Sequence, residues 1–407
     1  MNFLSKTKRL TFIGLLITIL SSTSLISAQR VIIKNNSPVA IKDYTLEIPV
    51  KKLKLAFGTY SASVNGSIVP VEIIENIRSE QFAIIPIANI AANEQISISI
   101  EKGEALNYPK RTYAEISHKI GGKFEGHKYV GGYSWVKPNY ITLPGTFRDH
   151  SYYIKYEGPG WESDKVAFRF YLDNRNAIDV FGKKTTGIVL PAVGVDGFDN
   201  YHKMADWGMD NMKVGKALGI GSIAIWDGEK AVRVEKKDSI TSGITAEGKV
   251  RSQVKTTYYG WNANGTKCNL QSLISIDAGS RASHMELLTD KKIDNIATGI
   301  IKSDKAELIV SHQPDNKWSY IATFGKQSLN DDMQGLVIFA RTNKIKEITE
   351  DSLNHIIIMD MADNYAEYYF MPTWELDNEP VRTKEQFIEC INEVLNRLNN
   401  KITYTIK

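Results

Sequence analysis

The sequence is poor in cysteine, carries little surplus charge and holds a single long apolar run. Two cysteines in 407 residues, Cys268 and Cys390, are too few for a cysteine-based metal site and have no spacing from which a disulfide framework follows. Cys390 falls on the apolar side of a predicted helix, and free cysteine is among the most buried residue types. Two separate buried thiols are therefore expected rather than a bridge. The 50 basic residues against 46 acidic ones leave a formal charge of +4, and Lys6, Lys8 and Arg9 all lie in the first ten residues. The remainder is close to neutral, so no basic field is present to hold nucleic acid. Also missing are a P-loop, a G-x-S-x-G elbow, an H-E-x-x-H pair and an EF-hand loop, and Gly215, Gly219 and Gly221 are wrongly spaced for a dinucleotide loop. Nucleotide, serine-hydrolase and zinc-protease chemistry lose their support, and neither a cofactor nor a metal is expected.

The one apolar run lies at residues 10–19, after the positive Lys6, Lys8 and Arg9, and passes through Ser21, Ser22, Thr23 and Ser24 to Ile26-Ser27-Ala28. This is the three-part layout of a secretory signal peptide, with cleavage expected after Ala28. The run is shorter than the roughly 18–20 residues of a membrane span, and no cysteine follows it to carry a lipid. An exported protein, periplasmic or secreted and without a membrane anchor, is expected.

The rest reads as mainly β. Residues 44–48 and 96–100 alternate apolar and polar, the period of a half-buried strand. Asn65-Gly66 between two such runs is a hairpin signal, because both turn positions tolerate positive φ. Residues 29–104 thus suit a small immunoglobulin-like sandwich, ending at the polar seam Glu101-Lys102-Gly103-Glu104. Beyond it the composition shifts: nine of the 33 residues from 129 to 161 are aromatic, against 10% for the whole chain. Strand-like alternation returns at 166–172, 306–310, 319–324 and 336–340. Thr383 and Gln386 form a capping-box pattern ahead of Phe387, Ile388, Ile391, Val394, Leu395 and Leu398 on one helical face. The expected layout is a large antiparallel β domain over 105–407 closed by one amphipathic helix.

A dense polar and aromatic block occupies residues 148–210. It contains Arg148-Asp149-His150, the string from Glu157-Gly158-Pro159-Gly160-Trp161 to Lys165, the segment 170–183, and 201–210 followed by Lys213-Val214-Gly215. These strings resemble the Bacteroidota family of unknown function DUF4861, and the likeness covers most of the chain after the leader. The resemblance implies a galactose-mutarotase-like β-supersandwich for the large domain. It also implies polysaccharide utilisation, with an acidic oligosaccharide as partner and removal of water from a terminal uronic acid as one known activity.

That reaction sets three tasks. A base takes the C5 proton, a cation or donors steady the neighbouring carboxylate as charge develops, and an acid protonates the departing C4 hydroxyl. His202, in a polar loop-like stretch ending at Trp207, is the first choice for base, since histidine titrates near working pH; a packing histidine is the alternative. His150 is the second, against an ion pair with Asp149. Glu157 on the Gly-Pro-Gly turn is a candidate acid. Arg148, Arg169 and Arg175 are candidates for the substrate carboxylate, with Lys203 and Asp206 as further substrate contacts. Arg169 alternates with Phe168 and Phe170, so it points to the other face, towards a cleft or solvent. Trp161 and Trp207 are candidate sugar platforms or core residues. Asp196, Asp199, Asp206 and Asp210 fit no calcium loop. The remaining histidines, His118, His127, His284, His312 and His355, are read as structural. A dehydratase or lyase of uronic-acid oligosaccharides, a glycoside hydrolase and a non-catalytic carbohydrate-binding protein all stand open.

Overall fold

In a computed structural model the chain is described at residues 29–196, 200–400 and 402–407. The expected leader and its cleavage point lie outside the described residues. Among the described residues the fold is mainly β, with several antiparallel sheets and one α-helix near the C-terminus.

The first unit is a sandwich formed by one folded seven-stranded sheet. Strand Ser67–Glu75 joins its two layers, pairing first with Tyr60–Val64 and further along with Gln81–Ile90. Its alternating apolar residues, among them Val31, Ile33, Leu46, Ile48, Ile85 and Ile98, meet inside. Asn65 and Gly66 turn the expected hairpin with φ of +48° and +81°, and Val64 pairs with Ser67. Strand Gln95–Lys102 belongs to this sheet, and the strand that follows it, Thr112–Glu115, enters another. The chain end departs from the expected boundary. Strand Thr403–Ile406 returns to pair antiparallel with Gln29–Lys34, and Ile402 is buried in the small core.

The second unit centres on a nine-stranded antiparallel sheet, two of whose adjacent strands are Ser283–Thr289 and Tyr365–Trp374. Two five-stranded sheets cover one face. Met285, Leu287, Tyr368 and Phe370 point into that interface, where they join Trp161, Phe168 and Val180 of one covering sheet and Ile296, Ile300 and Ile357 of the other. Because strand side chains alternate, His284, Glu286, Glu367 and Tyr369 face the opposite way. Part of this outer face is apolar (Val337, Phe339, Met371) and carries helix Lys384–Asn399 through Phe387, Ile391 and Val394. The capping box forms as the sequence indicates, with Thr383 accepting from the Gln386 N–H and the Gln386 side chain accepting from the Thr383 N–H. Cys268 and Cys390 are both unpaired.

Removing residues 402–407 is expected to uncover the edge of Gln29–Lys34 and withdraw Ile402 from the small core. Native-state hydrogen exchange should then accelerate from Val31 to Lys34. Unchanged protection there would contradict a structural role for the last strand.

Candidate functional site

The block singled out in the sequence builds four strands of one covering sheet, Gly160–Ser163, Val166–Phe170, Ile178–Lys183 and Gly208–Asp210, and Thr112–Glu115 completes it at the edge. One face is apolar and belongs to the central core. The other presents Glu115, Glu162, Arg169, Asp179, Lys183 and Asp210, every one of them buried. They are buried because the chain between Lys183 and Gly208 folds back as a cap, in which Val189, Leu190, Val193 and Tyr201 pack with Tyr156, Ala167 and Phe181. Gly208 lets the cap rejoin the sheet: its φ is +131°, and a Cβ there would lie 1.8 Å from the Gly182 carbonyl oxygen.

Burying ions costs several kcal/mol each unless partners and hydrogen bonds compensate. Compensation here is extensive. Lys183 donates to Glu162 at 2.7 Å, and the same carboxylate accepts the Val189 and Leu190 N–H groups at 3.0 and 2.8 Å, which fastens the cap to the sheet. Glu115 pairs with Lys155 and Lys137 and accepts the Tyr113 and Tyr156 hydroxyls. Arg169 donates through Nη2 to Asp179 and Asp210, both at 2.6 Å, and through Nη1 to the Tyr201 hydroxyl at 2.9 Å. Tyr171 donates to Asp179 at 2.6 Å. At the edge of this network the His202 Nε2 lies 3.1 Å from Asp210, with 36% of the His202 side chain exposed against 1% for Asp210.

Electrostatics follow from burial and crowding. Burial, reinforced by Asp210, pushes Asp179 up to about 6 despite Arg169 beside it. Burial also raises Glu162 and lowers Lys155, each against the pull of its ion partner. Burial opposes the Arg169 charge, but Tyr171, Asp210 and Asp179 outweigh it and hold that guanidinium well above its ordinary value.

Four of the sequence candidates meet in this cluster. His202 and Arg169 share Asp210, while Arg175 binds both Glu157 and Asp173 at 2.5 Å and lies over the Tyr171 ring at 3.9 Å. Glu157 also accepts the His150 backbone N–H at 3.1 Å and lies 3.7 Å from Arg169. Tyr156 and Glu157 have φ of +38° and +73°, and the next residue has to be glycine because a Cβ on Gly158 would meet the Phe170 oxygen at 1.7 Å. His150 is exposed and its Nδ1 is 3.0 Å from Asp149, the ion pair weighed against a catalytic role. Arg148, Lys203 and Asp206 are exposed, and Trp207 is half-buried with its edge on Phe181.

Two expectations change. Trp161 is no sugar platform: it is fully buried, stacks on Phe168 at 5.3 Å and donates its indole N–H to Ser283. Arg169 faces neither cleft nor solvent. Its donors are committed to protein groups beneath the cap, so it positions carboxylates rather than holding one from a substrate. Asp199 lies outside the described residues, Asp210 serves the ion network, and among the described residues no group of three or more His, Cys, Asp and Glu is placed to hold a metal. Asp179, Tyr171, Tyr201, Glu115 and Lys155 escaped the sequence reading. For Asp179 a signal existed, since it stands directly opposite Arg169 in the register of neighbouring strands.

Fold and site together define a β-sandwich protein in which a capped, charge-filled sheet presents one histidine on a buried carboxylate. The chain belongs to the family described as Domain of unknown function (DUF4861), which matches residues 33–403. A curated relative, the uncharacterized protein P7 of Formosa agariphila, is 24% identical over 275 residues, covering 61% of this chain and 66% of that protein. This chain therefore spans just under two thirds of that relative's length. Among solved structures it is similar to a glycosyl hydrolase family 38 protein of Enterococcus faecalis (9% identity, TM-score 0.42) and to an alpha-mannosidase of Enterococcus faecalis V583 (8%, 0.46). Each likeness covers 93% of this chain but only 47% and 46% of those chains.

Replacing Lys183 by Met strands Glu162 without its cation, and a loss of about 3–5 kcal/mol in denaturant-induced unfolding is expected. The double variant with Glu162→Gln should recover part of that loss; no recovery would mean that the pair does not fasten the cap. A second test concerns Asp179, whose pKa rises on folding. Its contribution to stability is complete below the unfolded value near 3.8 and is lost as pH rises through about 6. Asp179→Asn removes this term, so the stability difference should move in favour of the variant between pH 4 and pH 7. A difference independent of pH would show that folding leaves the ionisation of Asp179 unaltered.

Proposed function

We propose that this chain is an exported carbohydrate-active enzyme that takes the C5 proton from a terminal uronic acid of an acidic oligosaccharide and eliminates the group at C4. The reading rests on one observation, the half-exposed His202 imidazole on the buried Asp210 carboxylate. With Asp210 ionised, Nε2–H donates to it and the basic lone pair is directed to Nδ1. Asp210 also offsets the charge of the imidazolium once the proton has been taken.

In the proposed reaction the C5–H electrons form the C4=C5 double bond as the C4–O bond breaks, and the departing oxygen gains a proton. If the departing group is hydroxyl, water leaves and the chain stays intact; if it is a glycosidic oxygen, the chain is cleaved without water. His150, exposed beyond Glu157, is the rim group assigned to protonate the departing oxygen. Glu157 itself is held by Arg175 and the His150 N–H and supports the site from beneath. The substrate carboxylate falls to exposed cations, Arg148 and Lys203, because Arg169 is committed inside the protein. Trp207, half-buried at the cap's end, is the remaining aromatic for a sugar face. Residues 1–28 would direct export.

Mass spectrometry of acidic oligosaccharides after incubation separates the outcomes. Loss of one water from an intact chain identifies a dehydratase, cleavage without water a lyase, and cleavage with water a hydrolase. His202→Ala is expected to lower turnover by about 10²–10⁴-fold with little change in KM, as for a general base that acts in the transition state. No product from the wild type, or full activity in the variant, would reject this assignment.

A further inference from the structure

On the far side of the nine-stranded sheet from the capped cluster lies a cleft of about 520 Å³. The small sandwich walls it through strand Ile41–Pro49, the C-terminal helix closes one end, and the outer face of the large sheet forms its floor. Clefts of this size between structural units are where small molecules bind. The floor is not plain packing surface. Glu286 and Glu367 stand directly opposite each other on adjacent strands, as do His284 and Tyr369. The His284 ring stacks on Tyr369 at 4.2 Å and 9°, and its Nε2 lies 3.1 Å from Glu367. Arg341 also binds Glu367, with its guanidinium 4.7 Å over the Trp318 ring. The Tyr365 hydroxyl sits between the two glutamates, 3.3 Å from Glu286 and 3.4 Å from Glu367.

The chemistry of this floor narrows the ligand. Its charges are largely matched within the protein: Glu367 by Arg341 and His284, and Arg251 by Asp277 and Glu47. On the floor an anion would find no unmatched cation, and Glu286, which accepts only from the Tyr365 hydroxyl, is left to accept hydrogen bonds from a ligand. What it presents is the stacked His284 and Tyr369 rings, the Glu286 and Glu367 carboxylates and the Tyr365 hydroxyl, spaced along adjacent strands. Such a surface suits a compound with an apolar ring face and many neutral hydroxyls.

We infer that the cleft between the small sandwich and the nine-stranded sheet is a second ligand site, selective for a neutral sugar of one or two rings, with Glu286, Tyr365 and His284 as its polar contacts. It is separate from the uronic-acid reaction proposed at His202.

Isothermal titration of the intact protein with cellobiose, mannobiose, galactobiose and xylobiose tests it. At least one should bind with one-to-one stoichiometry, and an unsaturated uronic disaccharide should not displace it. Glu286→Leu and Tyr365→Phe should each weaken that binding by about 10-fold or more, while turnover of acidic oligosaccharides stays at the wild-type level. Thermal melts identify any variant that fails to fold, and Tyr365→Phe, which keeps the ring, provides the second reading in that event. The inference is overturned if no neutral disaccharide binds at millimolar concentration, if both folded variants bind as the wild type does, or if the uronic disaccharide competes. Neutral binding without any acidic turnover would reject the elimination chemistry and leave this site standing.

Discussion

Arg169 is the interaction on which the charged block depends. It lies under the cap with Asp179 and Asp210 both 2.6 Å from the same guanidinium nitrogen and Tyr201 on another. Each contact ties a different stretch of chain: Asp179 the neighbouring strand, Asp210 the return strand after the cap, and Tyr201 the cap itself. Without the guanidinium, two carboxylates would face each other in a dry space, a cost of several kcal/mol. The cation therefore permits both the closure of the cap and the placement of Asp210 behind His202. Its cluster still holds more carboxylates than guanidinium groups, since Glu157, Asp173, Asp179 and Asp210 surround only Arg169 and Arg175. That surplus, together with burial, is why Asp179 holds its proton more tightly than an exposed aspartate.

Local signals made part of this structure legible. The Asn65-Gly66 hairpin and the Thr383–Gln386 capping box are decided by a few adjacent residues, and both form as the sequence indicates. Period-2 alternation also divided Phe168 and Phe170 correctly from Arg169. It gave no sign of what covers each face, because alternation describes a strand and not its neighbours. The cap is mostly turns, so Val189, Leu190 and Val193 carry no periodic pattern that would announce a buried surface over Arg169. Trp161 was ambiguous for the same reason: a tryptophan in an aromatic-rich segment suits a platform or a core, and only the sheet packed behind it decides.

The candidate site was legible in membership more than in roles. His202, Glu157, Arg169 and Arg175 do meet, although His202 and Glu157 are separated by more than forty residues in the chain. The cleft was not legible at all. Its floor draws on Arg251, His284, Arg341 and Glu367, and its wall on Glu47 of the first unit, a spacing no short motif records. His284, read as structural, stacks on Tyr369, pairs with Glu367 and also lines this cleft. Strand Thr403–Ile406 escaped for a similar reason, since its partner Gln29–Lys34 stands at the other end of the described chain.

The nine-stranded sheet explains how one chain carries two such different polar regions. On strand Ser283–Thr289, Met285 and Leu287 enter the central core while His284 and Glu286 face the cleft, and strand Tyr365–Trp374 divides in the same way. The covering sheet repeats the arrangement, with Phe168 inward and Arg169 outward on adjacent positions. Both polar faces thus rest on the same rigid apolar layer, but their charges are handled differently. Beneath the cap, burial and crowding raise Asp179. In the cleft, burial alone would raise Glu367, yet His284 and Arg341 draw it down to about 2, while for Glu286 directly opposite burial outweighs the pull of His284 and raises it. One carboxylate of the cleft pair is therefore held as an anion by two cationic neighbours, while burial weakens the hold of the other on its charge. The Tyr365 hydroxyl is shared between them, so a single patch of sheet carries two acceptors in different electrostatic surroundings.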